Sequence, residues 1–308
     1  MEQNNSKVII ASDWCYCLVA FLDVQGQKEI FVKLSKIRSL EEIDNKIKEE
    51  ISKNLYYLEQ LRKNLEKYFN NYTGEDPSKV RADESCKDEF DQIRKAEIYF
   101  QYFSDSLIAF VPLEFRSFYS VTVNGVWGVL GACGLAVLGS LAVEHAVRGG
   151  IEICWGTRLK SGEIYGPALN KAYCLESKVA DYPRIVIGDE VWNYLNSLSN
   201  KVKQHPAQKQ IDINACQKMA ERCLKLIAKD NDGLLVLDYL GYGFLELNKG
   251  MPDFFGIYDL SKKFICDSLL KWSQEKNFKL ASKYRRLNDY FQSKSILVEE
   301  VRKSSFGN

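Results

Sequence analysis

The sequence predicts an α/β fold, a sheet with helices packed on it, because strand-like and helix-like segments alternate along the chain. Apolar, β-prone residues run without interruption over residues 14–22 and recur as a strand pair over residues 97–111. Between them, apolar residues repeat at helical spacing. A chain of 308 residues, 46% hydrophobic and 27% charged, is long enough for one large domain or two ordinary ones.

Two aspartates follow these apolar strands. Asp23 comes directly after the first strand, and Asp105 lies within the strand pair, after Tyr99-Phe-Gln-Tyr-Phe-Ser104. A carboxylate among apolar residues is poorly solvated, and leaving it unpaired there is unfavourable. A strand hairpin that holds two such carboxylates side by side suits a two-metal phosphoryl-transfer site. Asp23 and Asp105 are therefore the first candidates for a functional site.

A long amphipathic helix is predicted over residues 39–70, between the two aspartates. Ser39 followed by Glu42 matches a capping box at its start. The polar face is rich in Glu and Lys, which indicates a solvated surface or, as the alternative, a coiled-coil partner. The turn-rich residues 71–90 predict a loop. The apolar positions of the helix are Ile43, Ile47, Ile51, Leu55, Leu58, Leu61, Leu65 and Tyr68.

The uncharged residues 126–143 predict a helix near residues 120–146 and are long enough to cross a membrane. Their flanks lack a basic stop-transfer cluster, and Arg148 leads directly into a further strand over residues 150–156. The pattern favours a buried helix that lies on the sheet. A single membrane span is the alternative.

Strand-like and helix-like segments also alternate in the rest of the chain. Asp230-Asn-Asp232-Gly233 matches only the first positions of a calcium loop and lacks the closing glutamate, so it is predicted to be a turn. The other predicted segments are a turn at residues 160–162, a helix over 167–181, a strand over 184–187, a linker over 200–206, and helices over 216–228, 254–274 and 280–292.

Composition argues against several classes of protein. The formal net charge of +1 offers no basic stripe for a nucleic-acid partner. Nine scattered cysteines, two histidines and no paired Cys motif indicate reduced thiols in a core and no zinc site. The first residues, Met-Glu-Gln-Asn-Asn-Ser, are unlike a signal peptide, so we expect a cytoplasmic protein.

Three blocks, taken in order, resemble the catalytic domain of class III nucleotidyl cyclases over about residues 14–195. They are Asp23-Val-Gln-Gly26, Phe103-Ser-Asp105, and the segment from Gly150-Ile-Glu-Ile-Cys-Trp-Gly156 through Tyr165-Gly-Pro-Ala-Leu-Asn170-Lys-Ala-Tyr-Cys-Leu-Glu176. The specific residues of these motifs, including Phe-Ser-Asp-Ser, Arg-Gly-Gly-Ile and Tyr-Gly-Pro-Ala-Leu, resemble those of the bacterial pyrimidine cyclases of Pycsar antiphage defence. Those enzymes make cyclic UMP or cyclic CMP, which activates a separate effector protein.

The resemblance implies a palm-like catalytic domain over residues 1–199, with a mainly antiparallel sheet flanked by helices and a long helical insert at about residues 39–90. A C-terminal extension over residues 200–308 would be mostly helical with a small β element. The resemblance further implies UTP or CTP as substrate, two Mn²⁺ or Mg²⁺ ions per site, and a homodimer with its sites at the interface. No stable membrane insertion is expected.

The same resemblance implies roles for particular residues. Asp23 and Asp105, with the backbone carbonyl of Val24, would hold the metal ions. The backbone amides from Val24 to Lys28 and the charge of Lys28 would hold phosphates. Asn170 would steady the ribose or the transition state. The remaining substrate-binding residues would be Gly26, Gln101, Glu163 and Tyr165.

Three positions depart from the purine cyclases. Cys174 stands where those enzymes carry an arginine that stabilises the transition state, while Gln101 and Glu163 replace their purine-selecting lysine and aspartate. These departures favour a pyrimidine substrate, with UTP ahead of CTP. The alternatives are a purine cyclase acting on ATP or GTP, and an inactive cyclase-like protein that binds a nucleotide or a protein partner.

Overall fold

A computed structural model describes residues 14–26, 31–32, 34–39, 43–74, 96–113, 119–200 and 210–306. These residues form a mixed α/β protein in which helices flank an eight-stranded, mostly antiparallel sheet, which confirms the predicted fold class. The strands are β1 (Cys15–Val24), β2 (Tyr99–Phe103), β3 (Ser106–Pro112), β4 (Val147–Arg158), β5 (Ile164–Tyr165), β6 (Ile185–Ile187), β7 (Ile227–Lys229) and β8 (Leu235–Leu237). The helices are α1 (Asn45–Gly74), α2 (Tyr119–Ala142), α3 (Pro167–Cys174), α4 (Asp189–Asn200), α5 (Gln210–Leu224), α6 (Tyr242–Asn248), α7 (Phe254–Gln274) and α8 (Phe278–Phe306).

The strand order is β2-β3-β1-β4-β6-β8-β7, with the short β5 beside β4. Neighbouring strands are antiparallel except for β4 and β6. The first four strands, with α1 and α2, follow a β-α-β-β-α-β order. Because β1 lies between β3 and β4, the residue at its carboxyl end is flanked by both neighbours.

Strand β1 is buried on both faces, as its uninterrupted apolar run predicts. Leu18 and Leu22 belong to the main core, and Cys17 and Val19 belong to a smaller cluster on the other face of the sheet. Because side chains alternate along a strand, Asp23 lies on the face of this smaller cluster.

The uncharged helix α2 lies in the main core. Within the described ranges it is the one helix long and apolar enough to cross a membrane, and 89% of its most apolar window is buried. Its glycines explain the close packing: an added Cβ would lie 2.7 Å from the Phe69 ring at Gly128, and 2.7 Å from the Tyr72 ring at Gly131. Aromatic rings of α1 therefore pack against the backbone of α2, as expected for a buried helix.

Helix α1 begins later than predicted. Asp44 Oδ1 accepts a hydrogen bond from the Ile47 N–H at 2.7 Å, so Asp44 caps the helix. The predicted start at Ser39 is therefore wrong, and the helix continues to Gly74. Residues 75–95, which hold most of the predicted loop, lie outside the described part of the chain. The buried face of α1 includes Tyr57, Leu61, Leu65, Phe69 and Tyr72.

The residues after 210 extend the same sheet. The predicted helix over residues 216–228 ends at Leu224, because Ile227–Lys229 forms β7 and pairs with β8. The predicted turn is confirmed, with Gly233 at a left-handed φ of 83° between the two strands. The predicted C-terminal helices are α7 and a longer α8. The predicted domain boundary adjoins residues 201–209, which are not described, and stays a prediction.

Candidate active site

Asp23 lies at the carboxyl end of β1, where the strand register sets it opposite Ser106 of β3 and Arg148 of β4. The Ser106 hydroxyl donates to Asp23 Oδ1 at 3.3 Å, and Gln25 Nε2 donates to Asp23 Oδ2 at 2.8 Å. Each carboxylate oxygen thus has one polar partner, and the half-buried side chain is held in a fixed orientation.

Asp105 lies in the two-residue turn between β2 and β3. Ser104, the first residue of the turn, has a φ of 54°, a left-handed conformation that residues other than glycine rarely adopt. Arg62 of α1 donates from Nη2 to the Ser104 carbonyl at 2.9 Å, and the Val24 N–H donates to the Asp105 carbonyl at 3.2 Å. The long helix between the two aspartates therefore helps to fix the turn that carries the second one.

The two carboxylates repel each other. Burial raises the pKa of Asp23, the charge of Asp105 raises it further, and the charge of Arg148 opposes both effects. Among the described residues, neither aspartate forms an ion pair. A bound cation would relieve this repulsion.

The donor atoms at this position suit a hard divalent cation. Asp23, Asp105 and the Val24 carbonyl offer only oxygen atoms, the ligands that Mg²⁺ and Mn²⁺ prefer. In the part of the chain that is described, no group of three or more His, Cys, Asp or Glu side chains is placed to hold a metal ion. Two carboxylates leave the other coordination positions to water and phosphate oxygens, as is usual for Mg²⁺ at nucleotide sites.

The turn after Asp23 is tied to β4 and contains a glycine. The Gln25 N–H donates to the Ala146 carbonyl at 2.8 Å, which ties the turn to the start of β4. Gly26 has a left-handed φ of 97°, and no atom of the described residues lies within 4 Å of the position a Cβ would take. None of these residues blocks the approach of a ligand to the backbone at Gly26. Lys28, the predicted phosphate-binding cation, lies outside the described residues.

A pocket of about 570 Å³ lies next to Asp23, although neither Asp23 nor Asp105 is among the residues that line it. It brings together Gln101, Tyr165 and Asn170, three residues predicted to contact substrate. Ser106, which donates to Asp23, also lines this pocket. Its largely apolar wall suits a flat heterocyclic ring. The other lining residues are Trp14, Phe21, Phe103, Ile108, Gly166, Pro167, Leu169 and Tyr173.

Gln101 is held in one orientation within the pocket wall. The Ile164 N–H donates to Gln101 Oε1 at 2.7 Å. This bond uses one of the two lone pairs of the amide oxygen and fixes the amide, so the NH₂ group is a donor that Gln101 can present to a ligand. Tyr165, the next residue of β5, packs edge-on against Trp14 with ring centroids 6.0 Å apart.

Glu163 and Cys174 do not line the pocket. Glu163 is exposed in the turn between β4 and β5, where its Oε2 accepts a hydrogen bond from Ser161 at 3.1 Å. Cys174 is the last residue of α3. The predicted contact of Glu163 with the base stays a prediction.

An ion pair beside Asp23 was not predicted from the sequence. Arg148 Nε pairs with Glu176, and Arg148 Nη1 donates to the Ala180 carbonyl at 3.4 Å. Glu176 is buried in a π-helical turn over Leu175–Val179, which replaces the end of the predicted helix over residues 167–181. Turns of this kind are frequent at functional sites. Only the pairing of β1 with β4 sets Arg148 opposite Asp23, and no sequence spacing indicates it.

Comparisons with known proteins identify no relative. No protein-family model matches the chain, no curated protein is detectably similar to it, and no solved structure matches its fold.

Proposed function

We propose that the chain is a pyrimidine nucleotide cyclase, which converts UTP or CTP to the 3′,5′-cyclic monophosphate and pyrophosphate. The observation that best supports this proposal is the position of Ser106, which connects the pocket to Asp23. Ser106 lines the pocket and also donates to Asp23, on the strand that follows Asp105. A nucleotide with its base in the pocket would extend its phosphates towards the two aspartates.

The chemistry divides between the carboxylates and the pocket. Asp23 and Asp105, with the Val24 carbonyl, would hold Mn²⁺ or Mg²⁺, and such ions lower the pKa of the ribose 3′-hydroxyl and offset charge on the phosphates. The backbone at Gly26 would donate to phosphate oxygens. Asn170, in the pocket wall, would orient the ribose.

Gln101 favours uracil over cytosine. Its NH₂ group donates hydrogen bonds, while its oxygen is engaged by Ile164. Uracil carries a carbonyl acceptor at C4, where cytosine carries an amine donor. With the NH₂ group of Gln101 facing C4 of the base, a donor would meet an acceptor in UTP but another donor in CTP, and in this orientation UTP would be the preferred substrate.

Turnover of the four nucleoside triphosphates tests the proposal. The purified chain with Mn²⁺ is expected to give cyclic UMP as its main product when each labelled nucleotide is supplied separately. Gln101→Glu places an acceptor where the donor was, and is expected to shift the ratio of UTP to CTP turnover by about tenfold or more towards CTP. Gln101→Met, similar in size but without either group, is expected to lower UTP turnover without favouring CTP. A folded chain that converts none of the four would contradict the proposal.

Cys174 favours a second candidate, a cyclase-like protein that binds a nucleotide without turnover, because it stands where purine cyclases carry an arginine. The same assay, combined with a binding measurement, separates the two candidates. Nucleotide affinity without any cyclic product would support the second.

We also propose a homodimer whose second copy covers the mouth of the pocket. Three aromatic side chains that line the pocket are exposed to solvent: Phe103 is 73% exposed, Tyr165 60% and Tyr173 47%. Covering such rings removes apolar surface from water. Sedimentation at assay concentrations is expected to give twice the mass of the chain, and a monomer that is active there would contradict this.

The cellular role that we propose is cytoplasmic antiphage signalling through a separate effector that binds the cyclic product. Phage plating on cells that carry the wild-type or the Asp23→Asn chain measures this role. Equal protection by the two chains would exclude signalling through the product.

A further inference from the structure

Arg148 and Asp23 lie side by side in the sheet. They are directly opposite each other in the antiparallel pair of β1 and β4, so their side chains project from the same face. Residues in such positions have Cβ atoms about 4.5–5.5 Å apart, a separation that an arginine side chain easily spans. An arginine and an aspartate placed in this way are expected to form an ion pair.

The structure shows a different pairing. Arg148 Nε pairs with Glu176, and Arg148 Nη1 donates to the Ala180 carbonyl at 3.4 Å. Among the described residues, the hydrogen-bond donors to the Asp23 carboxylate are the neutral side chains of Ser106 and Gln25. The guanidinium next to Asp23 is therefore engaged by other acceptors.

Close packing places Glu176 beside Arg148. The Glu176 side chain is 3% exposed and lies in the π-helical turn over Leu175–Val179. This turn packs directly on β4, because a Cβ added at Gly150 would lie 2.5 Å from the Leu175 Cβ and 2.9 Å from the Glu176 nitrogen. Gly150 comes two residues after Arg148 and is on the same face of the strand. A side chain at residue 150 would push the turn away, so the glycine allows Glu176 to reach Arg148.

The pairing of Arg148 with Glu176 has a consequence for Asp23. A guanidinium without another anionic partner would compete with a divalent ion for the Asp23 carboxylate, because either cation neutralises it. Glu176 supplies Arg148 with that other partner. Since the charges of Arg148 and Glu176 cancel, Asp23 and Asp105 together keep the negative charge that attracts a metal ion.

We infer that Glu176 is a positioning residue for the metal site, which holds the guanidinium of Arg148 so that Asp23 stays available to a divalent cation. This inference rests on the proposed function and deepens it. Glu176 contacts neither metal nor nucleotide in this arrangement and acts only through Arg148. The two single substitutions in this ion pair should therefore have unequal effects on metal binding.

Titration of the full chain with Mn²⁺ alone, followed by electron paramagnetic resonance, tests the inference. Glu176→Gln keeps the size of the side chain but frees Arg148 to pair with Asp23, and is expected to weaken Mn²⁺ binding by about tenfold or more. Arg148→Met removes the competing cation, so its Mn²⁺ affinity is expected to equal or exceed that of wild type. The double variant is expected to recover the wild-type affinity to within about threefold.

Glu144→Gln is the matched control, because it removes the same charge from an exposed position in the turn between α2 and β4. It is expected to change the Mn²⁺ affinity by less than about twofold. A similar loss in Glu144→Gln and Glu176→Gln would show a general effect of charge and would overturn the inference.

Urea unfolding identifies the variants that fold. A role confined to the stability of the ion pair predicts weaker Mn²⁺ binding in both single variants, and that result would overturn the inference. If Arg148→Met does not fold, the double variant decides, because Mn²⁺ affinity as low as that of Glu176→Gln would overturn it. Absence of Mn²⁺ binding by the wild-type chain would do the same. Product formation is scored separately: the expected Mn²⁺ affinities without a cyclic product would refute the proposed function alone.

Discussion

Nucleotide turnover is expected to fall by roughly a thousandfold or more when either Asp23 or Asp105 is replaced by asparagine. Asparagine keeps the size of the side chain but not the negative charge that holds a divalent cation. The two substitutions are expected to have similar effects, because each removes one of the two carboxylates at the site. Product formation from UTP at saturating Mn²⁺ measures the loss. Retention of most of the activity by either variant would exclude a shared metal site.

The fold of the Asp23→Asn variant is expected to be as stable as the wild type, or more stable, at neutral pH without metal. Burial and the charge of Asp105 raise the pKa of Asp23. A raised pKa means that the stabilising contribution of this group is complete below its ordinary pKa and is lost as the pH rises through the folded-state value. At neutral pH the ionised group is therefore unfavourable, and its removal relieves repulsion. Urea unfolding measures this, and a large loss of stability would show that inactivity came from misfolding.

The Arg184→Met substitution is expected to lower the free energy of unfolding by about 3–5 kcal/mol. Arg184 is buried, pairs with Asp230 and with Asp232, and lies 4.7 Å from the centre of the Tyr182 ring. Without it, Asp230 keeps a largely buried charge and loses its ionic partner. Lys249→Met breaks a partly exposed i,i+3 pair with Glu246 and is expected to cost less than about 0.5 kcal/mol. Similar losses in the two variants would contradict the account of this cluster.

The same cluster predicts a loss of stability in acid. A hydrogen bond from Arg184 lowers the pKa of Asp232 to about 2. Burial alone would raise the pKa of Asp230, but hydrogen bonds from Tyr182, the Asn231 N–H and Arg184 lower it. Lowered pKa values give stability that is present above the ordinary pKa and is lost as the pH falls through the folded-state values. The difference in stability between wild type and Arg184→Met is therefore expected to shrink as the pH falls from about 4 to about 2.

The fold class could be predicted because its main elements have strong local patterns. The continuous apolar run of β1 and the helical spacing of α1 are visible without tertiary information. The ends of the helices and strands were harder to predict. Asp44 caps α1 and displaces the start expected at Ser39, and Ile227–Lys229 is a strand only because β8 lies beside it.

The site was predictable only in part, for a similar reason. Asp23 lies at the end of β1, and Asp105 lies in the turn that joins β2 to β3. The apolar residues before each aspartate were enough to predict these positions. Ser106 and Arg148 flank Asp23 through the register of three strands, which no single segment specifies.

The central claim is that Asp23 and Asp105 together hold divalent ions beneath a nucleotide. Equilibrium dialysis with Mn²⁺ measures this binding, and electron paramagnetic resonance gives the concentration of free Mn²⁺. The nucleotide is 3′-deoxy-UTP, which cannot react because it lacks the attacking hydroxyl. The account predicts two tightly bound ions per wild-type chain, and binding weaker by about tenfold or more in both Asp23→Asn and Asp105→Asn. Equal Mn²⁺ binding by the wild-type chain and the double variant would contradict it.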